Sequence, residues 1–249
     1  MMKSNLLLFG FTLTILVGLT ACGSGDEETD PQPTGADIIG EVNLYDDGVT
    51  QIDNSGMTVR VEGITPGISA STDTDGKFTL SEVPFGEYTL IFEKSGYGTF
   101  KKFNIEHRNT GSPTFLTENP SLGQNSKTSI TNLTTSTSNN TVTVAATIDP
   151  AASNGNNRYI RYFFSTQSEV SSEKFDAVLE TFVAKITPYN LNLTEESLDA
   201  LGFQSGETVY AKCYGESFWS NQYEDPDLAR SVFPNLNMTS ADAVSFVVP

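Results

Sequence analysis

The chain has 249 residues, with 31 Asp and Glu against 14 Lys and Arg and a net charge of −17. A field of that sign repels phosphate backbones, which excludes nucleic acid as a partner, and it equally argues against a polybasic grip on anionic lipid. There are only 2 cysteines, too few for a disulfide framework if either has another use, so the fold must rest on hydrophobic cores, and the length allows two ordinary domains.

The first element is a leader. Met1-Met2-Lys3 is a short basic start, Leu6 to Leu19 is apolar apart from Gly and Thr, and Leu19-Thr20-Ala21-Cys22 closes the run. That order is a secretory signal. A spanning helix needs about 20 apolar residues, more than this interrupted core offers. The Leu-Thr-Ala-Cys tetrad resembles the lipobox of bacterial lipoprotein signals. The resemblance implies that residues 1–21 are removed and that Cys22 carries a covalent diacylglycerol/acyl lipid. It makes the membrane a partner through that anchor, and two or more acyl chains hold stably where one holds marginally.

Residues 22–36 lack apolar periodicity and are rich in Gly, Pro and acid, the composition of an acidic flexible tether. Asp26-Glu27-Glu28 resembles the export signal that sends Bacteroidetes lipoproteins to the cell surface. Its implication is an outer-membrane, surface-exposed location; ordinary linker solvation is the alternative.

From Asp37 onward short strands alternate with turns. Thr58–Glu62, Lys77–Leu80 and Glu87–Phe92 alternate polar and apolar residues, and Tyr88, Leu90 and Phe92 share one face. Between them lie Asp73-Thr74-Asp75-Gly76, Pro84-Phe85-Gly86 and Lys94-Ser95-Gly96, each a turn signal. The series Gly40-x-Val42, Val59-x-Val61-x-Gly63, Thr72-Asp73-x-Asp75-Gly76-x-Phe78, Pro84-x-Gly86-x-Tyr88-x-Leu90 and Gly96-Tyr97 resembles a carboxypeptidase regulatory-like domain. The resemblance covers residues 37–118, with Thr114-Phe115-Leu116 as the last strand, and implies a non-catalytic, transthyretin-like β-sandwich.

Residues 119–128 read as a polar linker. Strands resume at Thr141–Ile148 and Arg158–Phe164. Phe175, Val178, Leu179 and Phe182 then fall at helical spacing behind the cap candidates Ser171 and Ser172, which predicts an amphipathic helix near 172–186. A short further helical turn is expected from Glu195 to Leu201, capped by Thr194. Gly206–Gly215 and Val244–Val248 complete the pattern, and the Gly-x-Thr-x-Tyr-x-x-x-Tyr run from Gly206 to Tyr214 resembles the closing strands of a fibronectin type III-like domain at 129–249.

The inventory for catalysis is poor. His107 is the single histidine, read as an exposed polar residue at a strand end, and no Gly-x-Ser-x-Gly, phosphate loop or dinucleotide fingerprint occurs. Asp73-Thr74-Asp75-Gly76 lacks the closing Glu of a calcium loop and reads as a hairpin turn. Cys213, on the face shared by Val209 and Ala211, reads as a small buried hydrophobe. The best recognition candidate is the segment holding Phe218, Trp219, Asn221 and Tyr223, which mixes aromatic faces with amide and carboxylate groups as sugar sites do. The competing assignment for Trp219 and Tyr223 is a cap over the core.

The expected fold is all-β: two antiparallel β-sandwich domains in tandem, the second with one inserted amphipathic helix. The expected function is non-catalytic binding or scaffolding by a lipid-anchored surface lipoprotein, with a glycan or envelope proteins as partner and neither metal nor catalytic residues. A structural subunit of a fimbrial or adhesion assembly, joined through sandwich edges, is the alternative.

Overall fold

A computed structural model of the protein describes residues 33–249. The leader at 1–21, Cys22 and the tether up to Gln32 lie outside the described residues.

The first nine strands are β1 (Gly35–Glu41), β2 (Asn43–Tyr45), β3 (Thr58–Val61), β4 (Ser69–Ser71), β5 (Lys77–Pro84), β6 (Gly86–Glu93), β7 (Phe100–His107), β8 (Thr114–Phe115) and β9 (Ser121–Gly123). One sheet runs β4-β3-β6-β7 and another β5-β1-β8. Their facing side chains, among them Ile38, Val59, Phe78, Leu80, Leu90 and Phe92, close one core. The alternation read in β5 has its cause here: Phe78 and Leu80 are buried while Lys77 and Thr79 are exposed. The preceding turn uses acidic chemistry for backbone closure. Asp73 Oδ1 accepts the amides of Asp75 (3.0 Å) and Lys77 (2.9 Å), and Gly76 takes φ +86°.

The second half contains β10 (Ser129–Ser138), β11 (Thr141–Asp149), β12 (Arg158–Ser165), β13 (Ala177–Val178), β14 (Phe182–Ala184), β15 (Tyr189–Thr194), α1 (Glu195–Ala200), β16 (Thr208–Glu216), β17 (Tyr223–Asp225), β18 (Arg230–Val232) and β19 (Val244–Val247). The sheet β10-β11-β15 faces the sheet in which β12 pairs with β13, β14 and β16, and β16 with β19. Val142, Val144, Ile160, Tyr162, Ala211 and Cys213 lie in the core between them. On the far side of β12 a smaller cluster gathers Phe163, Val170, Tyr214, Phe233 and Leu236. The fold is therefore all-β, in antiparallel sandwiches, with one short helix among the described residues.

That helix is not where the main periodicity put it. The segment near 172–186 forms no helix; it supplies β13 and β14 to the edge of β12. Phe175 and Val178 pack on the small cluster, whereas Leu179 and Phe182 pack on the main core. A single helical stripe cannot serve cores on opposite faces of a sheet. The backbone goes to β12 instead, with Asp176 N donating to Phe164 O at 2.8 Å and Leu179 N to Tyr162 O at 3.1 Å. The capping chemistry of Ser171 closes a turn onto Glu173 and Lys174. The short helix α1 does form where Thr194 was expected to cap it, with Thr194 Oγ1 accepting Ser197 N at 3.2 Å.

The polar segment 119–128 is tied into the fold. Strand β9 pairs in parallel with β2, Asn125 N donates to Gly96 O (2.8 Å), and Ser126 N donates to Asn235 O (2.9 Å). Residues 33–249 accordingly cluster as one unit.

His107 also differs from expectation. It is buried, with Nε2 3.0 Å from Val83 O and Nδ1 2.7 Å from Thr114 Oγ1. A carbonyl can only accept, so Nε2 carries a proton and donates it to Val83 O. The residue ties β7 to β5 and β8.

Candidate functional site

Strand β16 ends at Glu216, and the loop Phe218–Gln222 crosses from there to β17 over the line where the two halves meet. Its course is fixed by two buried polar networks.

The first lies upstream. Arg161, on β12, donates from Nε to Glu216 Oε2 at 3.2 Å, from Nη1 to Leu179 O at 3.0 Å and from Nη2 to Thr181 Oγ1 at 2.8 Å. Its guanidinium lies 4.7 Å from the centre of the Phe233 ring, a cation–π contact. Glu216 Oε1 accepts the amide of Ser217 at 2.9 Å. Burial pushes the Glu216 carboxyl up to about 7, although Arg161 and the Ser217 amide pull it down.

The second network is neutral and sits on the seam. Asn235 Oδ1 accepts the Gly98 amide at 2.9 Å and Asn221 Nδ2 at 3.0 Å. Asn235 Nδ2 donates to Trp219 O at 2.8 Å and Gly123 O at 3.0 Å. Asn221 Oδ1 accepts the Gly123 amide at 2.8 Å, and its Nδ2 also reaches the carbonyls of Gly98 and Gly123. Two asparagines of the second half thus clasp two glycines of the first. A Cβ on Gly123 would collide with the Trp219 carbonyl, and one on Gly98 with Pro234. Asn221 adopts φ +53°, a region in which Asn is among the best tolerated non-glycine residues.

Between these anchors the loop presents aromatic rings. Trp219 lies 4.8 Å from Tyr45, Phe218 5.2 Å from Trp219, and Tyr159 5.5 Å from Phe218, centre to centre. The row runs from β2 to β12 across both halves. Phe218 is 42% exposed, so the row is open to solvent at its middle. The Trp219 indole N–H is buried with no hydrogen-bond partner. A cleft of about 240 Å³ lies on one side, between Pro120–Leu122, Phe100 and Phe218–Gln222. A second, of about 250 Å³, lies beside Tyr159 and is lined by Asp46, Asp47, Thr128, Asn156, Asn157 and Arg158. Both are smaller than the roughly 300–1,000 Å³ of drug-sized pockets, which leaves room for small rings.

Of the four residues singled out in this segment, the structure brings Phe218 and Trp219 together on the open row. Asn221 is 5% exposed and its amide is consumed by the clasp. Tyr223 lies apart, packed between Phe100 (6.1 Å) and Phe103 (5.9 Å) of β7. Burial raises its phenol, with Lys101 pulling the other way. Tyr45, Tyr159 and Asn235 belong to the site and carried no local signal. Cys213 is fully buried in the main core, and burial holds its thiol far above the usual range. Among the described residues no group of three or more His, Cys, Asp or Glu could hold a metal ion.

No family model matches the chain, and no curated protein matches it. Solved structures to which the chain is similar include a type II cohesin–X-dockerin complex from Acetivibrio cellulolyticus (27% identity, TM-score 0.32, 37% of this chain and 60% of the other). Another is a Bacteroides uniformis protein with a proposed carbohydrate-binding role (12% identity, TM-score 0.30, 86% and 99%). A third is a DUF3823 family protein from Bacteroides ovatus (13% identity, TM-score 0.29, 86% and 100%). This chain therefore spans less than two thirds of the cohesin–dockerin chain, and none of the three superposes closely enough to carry a function across.

Proposed function

We propose that the chain is a lipoprotein held to the outer membrane by acyl chains on Cys22, displayed at the cell surface, and that it works as a non-catalytic binding module for glycans. The single observation that carries the binding role is the aromatic row Tyr45–Trp219–Phe218–Tyr159, open to solvent at Phe218 and with a cleft on either side. Flat aromatic faces cover the C–H face of a sugar ring, while polar side chains at the cleft rims meet its hydroxyls. The loop is held rigid before any ligand arrives, so little ordering entropy opposes binding.

The test is a glycan array probed with the intact protein and with Trp219→Ala and Phe218→Ala. Phe218 is exposed, so its truncation leaves the core alone; binding that is lost in both variants supports the site. Undiminished binding in Phe218→Ala, or no glycan retained by the native chain, would sink it. The anchor is tested separately. Cys22→Ser abolishes incorporation of labelled palmitate if Cys22 is acylated, and unchanged labelling removes that part of the reading.

A further inference from the structure

An edge strand exposes a row of unpaired N–H and C=O groups, and proteins blunt such edges with Lys, Pro, bulges, shortness or a cover. Most free edges here follow that rule. Strand β5 is eight residues long, but it carries Lys77, Pro84 and Glu82 at φ +53°, and its pairing with β1 slips at a bulge. Strands β4, β8 and β13 have 3, 2 and 2 residues. Strand β10 is bulged at Ile130/Asn132 and covered at one end, where Ala241 N donates to Ile130 O.

Strand β15 does none of this. Tyr189-Asn190-Leu191-Asn192-Leu193-Thr194 has no charge, no proline and no bulge, and among the described residues it is paired only with β11. Leu191 and Leu193 point into the core and Asn190, Asn192 and Thr194 out, so its register is fixed. Just before it in the chain, Ile186 is an apolar residue 63% exposed.

We infer that β15 is the pairing edge for a second copy of this chain, antiparallel to its own counterpart across a two-fold axis. Two features select that occupant. In a chain of net charge −17, a charge-free edge is where two copies approach without strong repulsion. The flanks of the strand are also self-complementary. Lys185, exposed and without an ion-pair partner among the described residues, precedes β15, and the exposed Glu195 and Glu196 follow it. Antiparallel pairing sets Lys185 of each copy near the acidic end of the other. The two acidic ends stay apart by the strand length, about 20 Å, which exceeds the screening length of about 8 Å at physiological salt. The interface is isologous, so it closes at a dimer. The result is one continuous six-stranded sheet, β10-β11-β15 and its mate.

Sedimentation velocity on residues 33–249, over micromolar to millimolar concentration, tests this. The expected result is a monomer–dimer equilibrium. Asn192→Lys, an exposed position that places like charges beside the axis, is expected to raise the dissociation constant at least about tenfold with little change in the unfolding midpoint of the monomer, read below that concentration. Lys185→Glu weakens the dimer, and adding Glu195→Lys with Glu196→Lys in the same chain restores it. In the full chain, Asn192→Cys is expected to give a band of doubled mass with a short bismaleimide. A monomer at every concentration, a dimer indifferent to Asn192→Lys, an open polymer, or charge reversal without rescue would each overturn the inference.

Discussion

The loop that carries Trp219 is anchored from two directions by networks of opposite character. Upstream, Arg161 and Glu216 form a buried pair with side chains 3% and 0% exposed, charged on both sides once Glu216 ionises above about 7. Downstream, Asn221 and Asn235 form a neutral amide clasp in which each carboxamide is used at both ends. The two answer different perturbations. A buried ion pair depends on both charges being present, because the stranded partner keeps its desolvation cost. An amide clasp depends on geometry, because nothing in it titrates. The first fixes where the loop leaves β16; the second fixes how closely the two halves approach.

The sharpest way to break the comparison is to remove one charge. Arg161→Met strands Glu216 and the Leu179 carbonyl, and it is expected to cost about 3–5 kcal/mol in urea unfolding at pH 8, where Glu216 is ionised in the native chain. Adding Glu216→Leu is expected to recover most of that loss. If the double variant is no better than the single one, the cost lies in packing on Phe233 and not in charge.

The clasp comes next. Asn235→Leu leaves the Gly98 amide and the Trp219 carbonyl without partners, at about 1–3 kcal/mol per buried group. The loss is expected to be the same at pH 5 and pH 8, which separates it from the ion pair. The aromatic row is also expected to loosen, visible as a shift of Trp219 fluorescence. Trp219 is the only tryptophan in the chain, so the signal is unambiguous.

Local chemistry made much of the fold legible and hid the rest. The turn at Asp73–Gly76, the alternation of β5 and the Thr194 cap all have their causes within a few residues, and the sequence displays them. The segment near 172–186 has helical spacing, yet the two faces of β12 divide its apolar residues between them. Strand β9 is three residues long and pairs in parallel with β2, so nothing in Ser121–Gly123 announces it. The site divides in the same way. Phe218 and Trp219 stood out as neighbouring aromatics, whereas Asn235 matters because it bonds Gly98, 137 positions away. His107 was misplaced for the same reason: its partners Val83 and Thr114 belong to other strands.

The charged anchor is also expected to make stability depend on pH, and the sign follows from linkage. The Glu216 carboxyl is held at about 7 in the folded chain, against an ordinary value of 4.5. Between those values the folded state keeps a proton that the unfolded state releases, so stability falls as pH rises. The contribution is full below the ordinary value and is gone above about 7. Asp176, held low chiefly by the Thr166 amide, acts in the opposite sense and only at more acidic pH, where stability is lost as pH falls. Comparison with Glu216→Gln isolates the glutamate: urea midpoints of the native chain are expected to decline from pH 5 to pH 8 more steeply than those of the variant. Equal slopes would mean that Arg161 holds Glu216 ionised throughout this range, and the upstream anchor would then be as insensitive to pH as the amide clasp.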